Sequence, residues 1–156
     1  METAYIKTPL GIAKIQGDEN GISILCIHDE GTILSEIPTI LKEVVAQIDD
    51  YFEGKRTYFT FKINPSGTEF QQKVWKGLLE IPFGKTVSYL ELSKKLGNTK
   101  AIRAVAAANG KNPLWIVVPC HRVIGTQGSL TGYAGGLWLK KWLLDHENAT
   151  IQVSLY

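Results

Sequence analysis

Asn112-Pro113-Leu114-Trp115-Ile116-Val117-Val118-Pro119-Cys120-His121-Arg122-Val123 is the stretch around which the second half of the chain is organised. An apolar run carries the backbone into Pro-Cys-His-Arg. It reads as a short buried strand stopped by Pro119. A cysteine at that stop, with His121 beside it, is either a core thiol or a nucleophile. A buried structural cysteine needs no polar company. Cys120, however, has His121 and Arg122 after it and Asn112 before the run. All three types can lower a thiol pKa or orient a base. Both readings stand at this point.

Downstream, residues 124–136 hold five glycines between Gly125 and Gly136, which predicts a tightly turned or flexible loop. The loop has no Gly-Lys-Ser/Thr ending, so a nucleotide-phosphate site is not read here. A final helix is expected from about Leu137 to Glu147, with Leu139, Trp142 and Leu143 on it. Residues 148–156 form a short tail.

Upstream, Thr68-Glu69-Phe70-Gln71 and Ser88-Tyr89-Leu90-Glu91 each fit a capping box and predict two helix starts. The first helix carries Phe70, Val74 and Leu78 and ends at Ile81-Pro82-Phe83-Gly84. The second runs to Leu96-Gly97, and a third helical stretch begins at Ala101. Two short helices around a tight Gly-containing turn, over about 86–110, fit a helix-turn-helix. The third stretch carries alanine at 101, 104, 106, 107 and 108, with Arg103 as its one long basic side chain. Helix propensity, close packing on another protein surface, and approach to a nucleic-acid groove would each account for that alanine.

The first part of the chain reads as scaffolding. Strands are predicted over 3–8, 11–16 and 22–28, separated by turns, which makes a small antiparallel meander. Cys26, inside the most apolar strand, reads as a packed core thiol. His28 follows it by two residues, but no second pair of ligands has metal-site spacing, so no metal is expected. Pro38 opens a helical pattern through Leu41, Val44, Val45, Ile48 and Phe52, ending near Gly54. Asn64-Pro65-Ser66-Gly67 marks a lobe boundary, giving expected lobes 1–66 and 67–156.

Charge divides along the same line. Residues 1–66 carry six Lys/Arg against ten Asp/Glu, net −4, and residues 67–156 carry eleven against five, net +6. A positive field beside the reactive candidate points to a polyanionic partner, although a solvated basic face would give the same count. The 156 residues are 44% apolar and 21% charged, ordinary for a globular protein. No apolar run is long enough to span a bilayer, and no export signal opens the chain. A cytoplasmic protein with free thiols is expected.

Pro119-Cys120-His121-Arg122-Val123, with Asn112-Pro113 seven residues before the Pro-Cys pair, resembles the active-site signature of the methylated-DNA–protein-cysteine methyltransferases. These are the 6-O-alkylguanine-DNA alkyltransferases. The resemblance covers residues 68–147; the first lobe is similar only in length and in its strand-then-helix order. It implies an α/β (α+β) fold, with a small N-terminal antiparallel sheet and helix (a ribonuclease H-like lobe) and a mostly helical C-terminal lobe. It also implies single-use transfer of the alkyl group from 6-O-methylguanine, and from 4-O-methylthymine as a further substrate, after base flipping.

By the same resemblance Cys120 accepts the alkyl group, His121 is the base acting through a water, and Glu147 holds the other nitrogen of His121. Asn112 ties the turn together, and Tyr89 meets the flipped nucleotide's phosphate and protonates the departing guanine. Arg103 fills the emptied stack. Thr99, Lys100, Ala104 and Arg122 join Tyr89 and Arg103 as DNA contacts. Tyr133, Trp115, Val123 and Ala134 line the alkylguanine pocket, with Trp115 where several relatives carry proline or a small residue. Lys73, Lys76, Lys85, Lys94, Lys95 and Lys111 are candidates for further phosphate contacts. The implied partner is double-stranded DNA, entered through its minor groove by a monomer without cofactor, metal or membrane. The alternative is a lesion-recognition protein that does not transfer; members of that group lack the acceptor cysteine.

Overall fold

The computed structural model describes residues 1–33, 36–125, 133 and 135–147. The chain divides into two compact units, Met1–Ser66 and Gly67–Tyr156.

In the first unit β1 (Glu2–Thr8), β2 (Gly11–Asp18) and β3 (Gly21–His28) form an antiparallel meander in that order. Successive side chains of a strand point to opposite faces, and the sequence follows that period. Ala4 opposes Ile15, Ile6 opposes Ala13, and all four are buried. Tyr5 and Lys14 between them stay half-exposed. A bulge falls at Gln16/Gly17, where an added Cβ would stand 2.7 Å from the Gly21 carbonyl oxygen, so only glycine fits. Pro38 leads into a 3-10 turn, Thr39–Leu41, and then α1 (Lys42–Phe52), which buries Val44, Ile48 and Tyr51 at helical spacing. The segment after α1 returns beside β3, with Ile22 N donating to the Lys62 carbonyl and Asn64 N to the Ile22 carbonyl.

Cys26 corrects an expectation. It is half-buried on the face opposite fully buried Leu25, with Sγ 3.1 Å from His28 Nε2. An apolar strand with one solvated face puts alternate residues outside, and Cys26 falls on the wrong parity for the core.

In the second unit both capping boxes form. Thr68 starts α2 (Glu69–Leu78) with Gln71 returning the bond, and Ser88 starts α3 (Tyr89–Lys95) with Glu91 doing the same. A 3-10 turn, Thr99–Ala101, capped by the Asn98 side chain, leads into α4 (Ile102–Gly110). The helix-turn-helix is closed by α2. Trp75 Nε1 donates to the Ala108 carbonyl at 2.9 Å, and Gly77 leaves room for Leu92 of α3 and Leu96, its C-cap. Two residues each of β4 (Val87–Ser88) and β5 (Val123–Ile124) pair in parallel, and α5 runs Leu137–His146 with Glu147 as its C-cap. No helix among the described residues is long and apolar enough to cross a membrane.

The strand expected over 114–118 does not form: Leu114 keeps a single β-bridge, and turns and a bend follow it through Val118. Asn112 is the reason. Its Oδ1 accepts from Leu114 N at 2.9 Å, and its Nδ2 donates to the carbonyls of Val118 (2.8 Å) and Leu114 (3.3 Å). Val118 N donates to the Leu114 carbonyl at 3.0 Å and Val117 N to the Trp115 carbonyl at 2.8 Å. These backbone groups are satisfied locally, so most of the run is buried without an extended ladder.

Candidate active site

The turns place Cys120. Ile116 takes φ 74°, and the bond from Val117 N to the Trp115 carbonyl across it makes a γ-turn of the rarer hand. A β-branched residue at positive φ is a strained outlier, held here by the Asn112 bonds around it. Pro119 (φ −80°, ψ 64°) then forms an inverse γ-turn, with Cys120 N donating to the Val118 carbonyl at 2.8 Å. The chain enters a 3-10 turn, Cys120–Arg122, and leaves through β5. Pairing of Ser88 with Ile124 brings the start of α3, and so Tyr89, towards this turn. Asn109 stands between them, its Nδ2 at 3.4 Å from the Cys120 carbonyl and 3.5 Å from the Tyr89 hydroxyl.

Four ionisable side chains converge beside Cys120. His121 and Glu147 are almost wholly buried, and His121 Nε2 lies 2.8 Å from Glu147 Oε2. Arg122 grips the same carboxylate through Nε (2.8 Å to Oε1) and a terminal nitrogen (3.0 Å to Oε2), and donates at 2.7 Å to the Ile81 carbonyl. Its guanidinium carbon lies 5.8 Å from the Phe83 ring centre. Lys140 is 0% exposed, with Nζ 5.9 Å from the centre of the Tyr89 ring.

Burial would raise the Glu147 carboxyl, but the bonds and charges of His121 and Arg122 outweigh it and hold the group well below the usual carboxylate range. Burial pushes the His121 imidazole down; Glu147 opposes this, while the charges of Arg122 and Lys140 add to it. Burial takes the Lys140 ammonium down to about 8, against the pull of the Cys120 sulfur. Burial also raises the Cys120 thiol, while Asn112, Lys140, its own backbone and Tyr133 pull it back. At rest the site therefore holds a thiol, a neutral imidazole and an ionised carboxylate. An ionised carboxylate only accepts, so His121 Nε2 carries the hydrogen and Nδ1 is the basic atom. Nδ1 is buried and has no hydrogen-bond partner among the described residues.

Asn112, Cys120, His121 and Glu147 are thus brought together, with Tyr89 and Tyr133 beside them. The Trp115 and Tyr133 rings lie 5.8 Å apart, and Val123 is fully buried in β5. Ala134 lies outside the described residues. Arg103, Thr99, Lys100 and Ala104 are apart from this cluster, all exposed along the turn and α4, where Ala107 and Gly110 continue a low face. Lys73, Lys76, Lys85, Lys94 and Lys111 are exposed too, as is Lys95, which pairs with Glu80 at 2.8 Å.

Arg122 is a correction. With 6% exposure and its fork committed to Glu147 and Ile81, it cannot serve as a phosphate contact. Lys140 was not anticipated from the sequence. The available signal was a lysine in helical register with Leu143 and Glu147, on the inward arc of an otherwise apolar helix face. Among the described residues no group of three or more His, Cys, Asp or Glu is arranged to hold a metal ion.

Two family models match. Residues 1–65 match the ribonuclease-like domain of 6-O-methylguanine DNA methyltransferase, and residues 69–149 match its DNA binding domain. The chain is 44% identical over 155 residues to the methylated-DNA–protein-cysteine methyltransferase of Methanosarcina mazei, covering 94% of this chain and 97% of that one. That of Methanosarcina acetivorans is 43% identical, covering 96% and 99%. Among solved structures, a Mycobacterium tuberculosis protein of this kind in complex with DNA superposes with TM-score 0.86 at 39% identity, covering 97% of this chain and 95% of that one.

Proposed function

We propose how this chain, which belongs to the 6-O-methylguanine DNA methyltransferase family, uses the residues around Cys120 in its reaction. The protein is a DNA-repair methyltransferase. It moves the alkyl group of 6-O-methylguanine in DNA directly and irreversibly onto a cysteine of its own. The observation that carries the residue assignment is the buried His121–Glu147 contact in the turn that presents Cys120.

The reaction begins with a thiol held protonated by burial. His121 Nδ1 takes the proton through a bridging water, and Glu147 at Nε2 stabilises the imidazolium that forms. Lys140 stabilises the thiolate across the buried space. The Cys120 Sγ–CH3 bond forms as the O6–CH3 bond breaks. The electron pair passes into the guanine ring, the Tyr89 hydroxyl supplies a proton to a ring nitrogen, and the thiol proton held on His121 returns through water to restore Tyr89. A thioether remains on Cys120 and an unmodified guanine in the DNA. Among the described residues nothing is placed to hydrolyse an alkyl–sulfur bond, so each molecule acts once.

The reacting carbon of a stacked base is out of reach, so the nucleotide must leave the duplex. Arg103, exposed at the head of the low face made by Ala104, Ala107 and Gly110, fills the gap. Small side chains suit α4 to the narrow minor groove, while Thr99, Lys100 and the exposed lysines set the register on phosphates. Tyr133, Trp115 and Val123 border the base pocket, and 4-O-methylthymine fits the same chemistry. A cytoplasmic monomer suits the reading.

Intact-mass analysis after mixing the protein with a duplex carrying one methylated guanine tests it. One methyl mass gained per molecule, and none in Cys120→Ser, is the expected result. Tight lesion-selective binding with no mass gain would return the protein to the recognition-only alternative.

A further inference from the structure

Arg122 is costly where it stands. A guanidinium taken almost wholly out of water must be compensated on every side, and this one is. Two nitrogens hold both oxygens of Glu147, a third donates to the Ile81 carbonyl, and its charge lies near the Phe83 ring. A histidine can be oriented more cheaply by a backbone carbonyl or a lone carboxylate. The arginine must therefore supply something the His121–Glu147 pair lacks.

The missing element is charge balance. A buried histidine facing a buried carboxylate alone settles readily as an imidazolium–carboxylate ion pair, which has no basic nitrogen left. The Arg122 fork already neutralises Glu147. Besides its chain neighbour Cys120, His121 is faced by Glu147, Arg122 and Lys140; a proton on the imidazole would make three cations around one anion. The fork also fixes the carboxylate's rotation, since Oε2 accepts from Arg122 at 3.0 Å and from His121 at 2.8 Å while Oε1 is taken by Nε. Bidentate geometry of this kind is beyond a lysine.

We infer that Arg122 is a positioning residue of the transfer reaction: its two-pronged grip on Glu147 keeps His121 neutral, with hydrogen on Nε2 and Nδ1 open to receive the thiol proton. The inference rests on the roles assigned above to Cys120 and His121.

The test is the single-turnover rate of methyl transfer from a methylguanine duplex, followed by intact mass from acid to alkaline pH, in the wild type, Arg122→Lys and Arg122→Met. Arg122→Met should lose about ten- to a hundredfold in rate at neutral pH, the range seen when the partner behind a metal-ligating histidine is removed. Its acid limb should move up by about one pH unit, because Glu147 is left to stabilise the imidazolium. Arg122→Lys should return the acid limb towards the wild-type position without recovering the full rate. A uniform loss at every pH with the limb unmoved, or no loss, overturns the inference.

Should either variant fail to fold, nitrogen-15 NMR of the DNA-free wild type decides instead. A neutral His121 ring protonated on Nε2 at pH 7 supports the inference, and an imidazolium or the Nδ1–H tautomer overturns it. A wild type that gains no methyl mass removes the functional reading itself, a result separate from either outcome here.

Discussion

Each unit of this protein has a cysteine beside a histidine, and the two neighbourhoods differ in everything else. In β3, Cys26 and His28 meet at 3.1 Å on a partly solvated sheet face, simply because residues two apart in a strand share a side. In the other unit Cys120 is 3% exposed, and His121 next to it is bonded to Glu147, which Arg122 grips in turn. Proximity of thiol and imidazole is thus cheap. On the proposed mechanism, what marks the reacting thiol is a base whose far side is occupied by a group that cannot turn away.

Substituting Glu147 breaks the contrast most severely. In Glu147→Gln the Arg122 cation loses its counter-charge in the interior, and a buried pair broken at one partner costs about 3–5 kcal/mol. Urea unfolding should show that loss, and methyl transfer in the fraction still folded should slow by about tenfold or more. A variant as stable as the wild type would mean that Glu147 is not the counter-ion of Arg122.

Lys140→Met separates stability from reactivity within the same site. The ammonium is lowered to about 8 by burial, while the unfolded chain holds it near the ordinary lysine value of about 10.4. Below pH 8 both states are charged and the folded protein bears the whole penalty. As pH rises from 8 towards 10.4 the folded state sheds its proton first, so wild-type stability recovers across that window. The methionine variant should therefore be more stable near neutral pH, by about 1–3 kcal/mol after losses in packing, with the advantage shrinking above pH 8. Its methyl transfer should be slower, because the thiolate loses its cation. Unfolding midpoints at pH 7 and 9.5, set beside the transfer rate, check both halves.

Local signals in the sequence carried much of this architecture. The pairs Thr68/Gln71 and Ser88/Glu91 close within four residues, so their helix starts could be read from letters alone. The strand ranges and the turns between them gave the meander, whose buried face then falls on the alternating Ala4, Ile6, Ala13 and Ile15. Leu114 to Val118 misled because an apolar run reports burial but carries no information about backbone dihedrals. The deciding residue was Asn112, whose side chain takes over bonds a ladder would have made. Arg122 departs from the expected DNA contact for a related reason: a 3-10 turn sends successive side chains about a third of a turn apart, so standing beside Cys120 in sequence does not fix where an arginine points. Lys140 shows the limit of reading helices by hydrophobicity, since a lysine is scored as surface even where the register places it inward.

The smallest effect belongs to Cys26, and its smallness is what the comparison requires. Cys26→Ser removes a thiol from a half-buried position and leaves a hydroxyl able to reach the His28 ring. Such surface changes fall within about 0.5 kcal/mol. Methyl uptake should remain one per molecule at the wild-type rate, because among the described residues no chain of bonds like the one backing His121 stands behind His28. Burial raises the Cys26 thiol only against a counter-pull from Lys14, which opposes it in register on β2. Its greater exposure should still let a small thiol reagent label Cys26 before Cys120 in the DNA-free protein, with peptide mass mapping as the readout. If Cys26→Ser instead reduced methyl uptake, contact with a histidine would matter more than the network behind it, and the distinction between the two cysteines would fail.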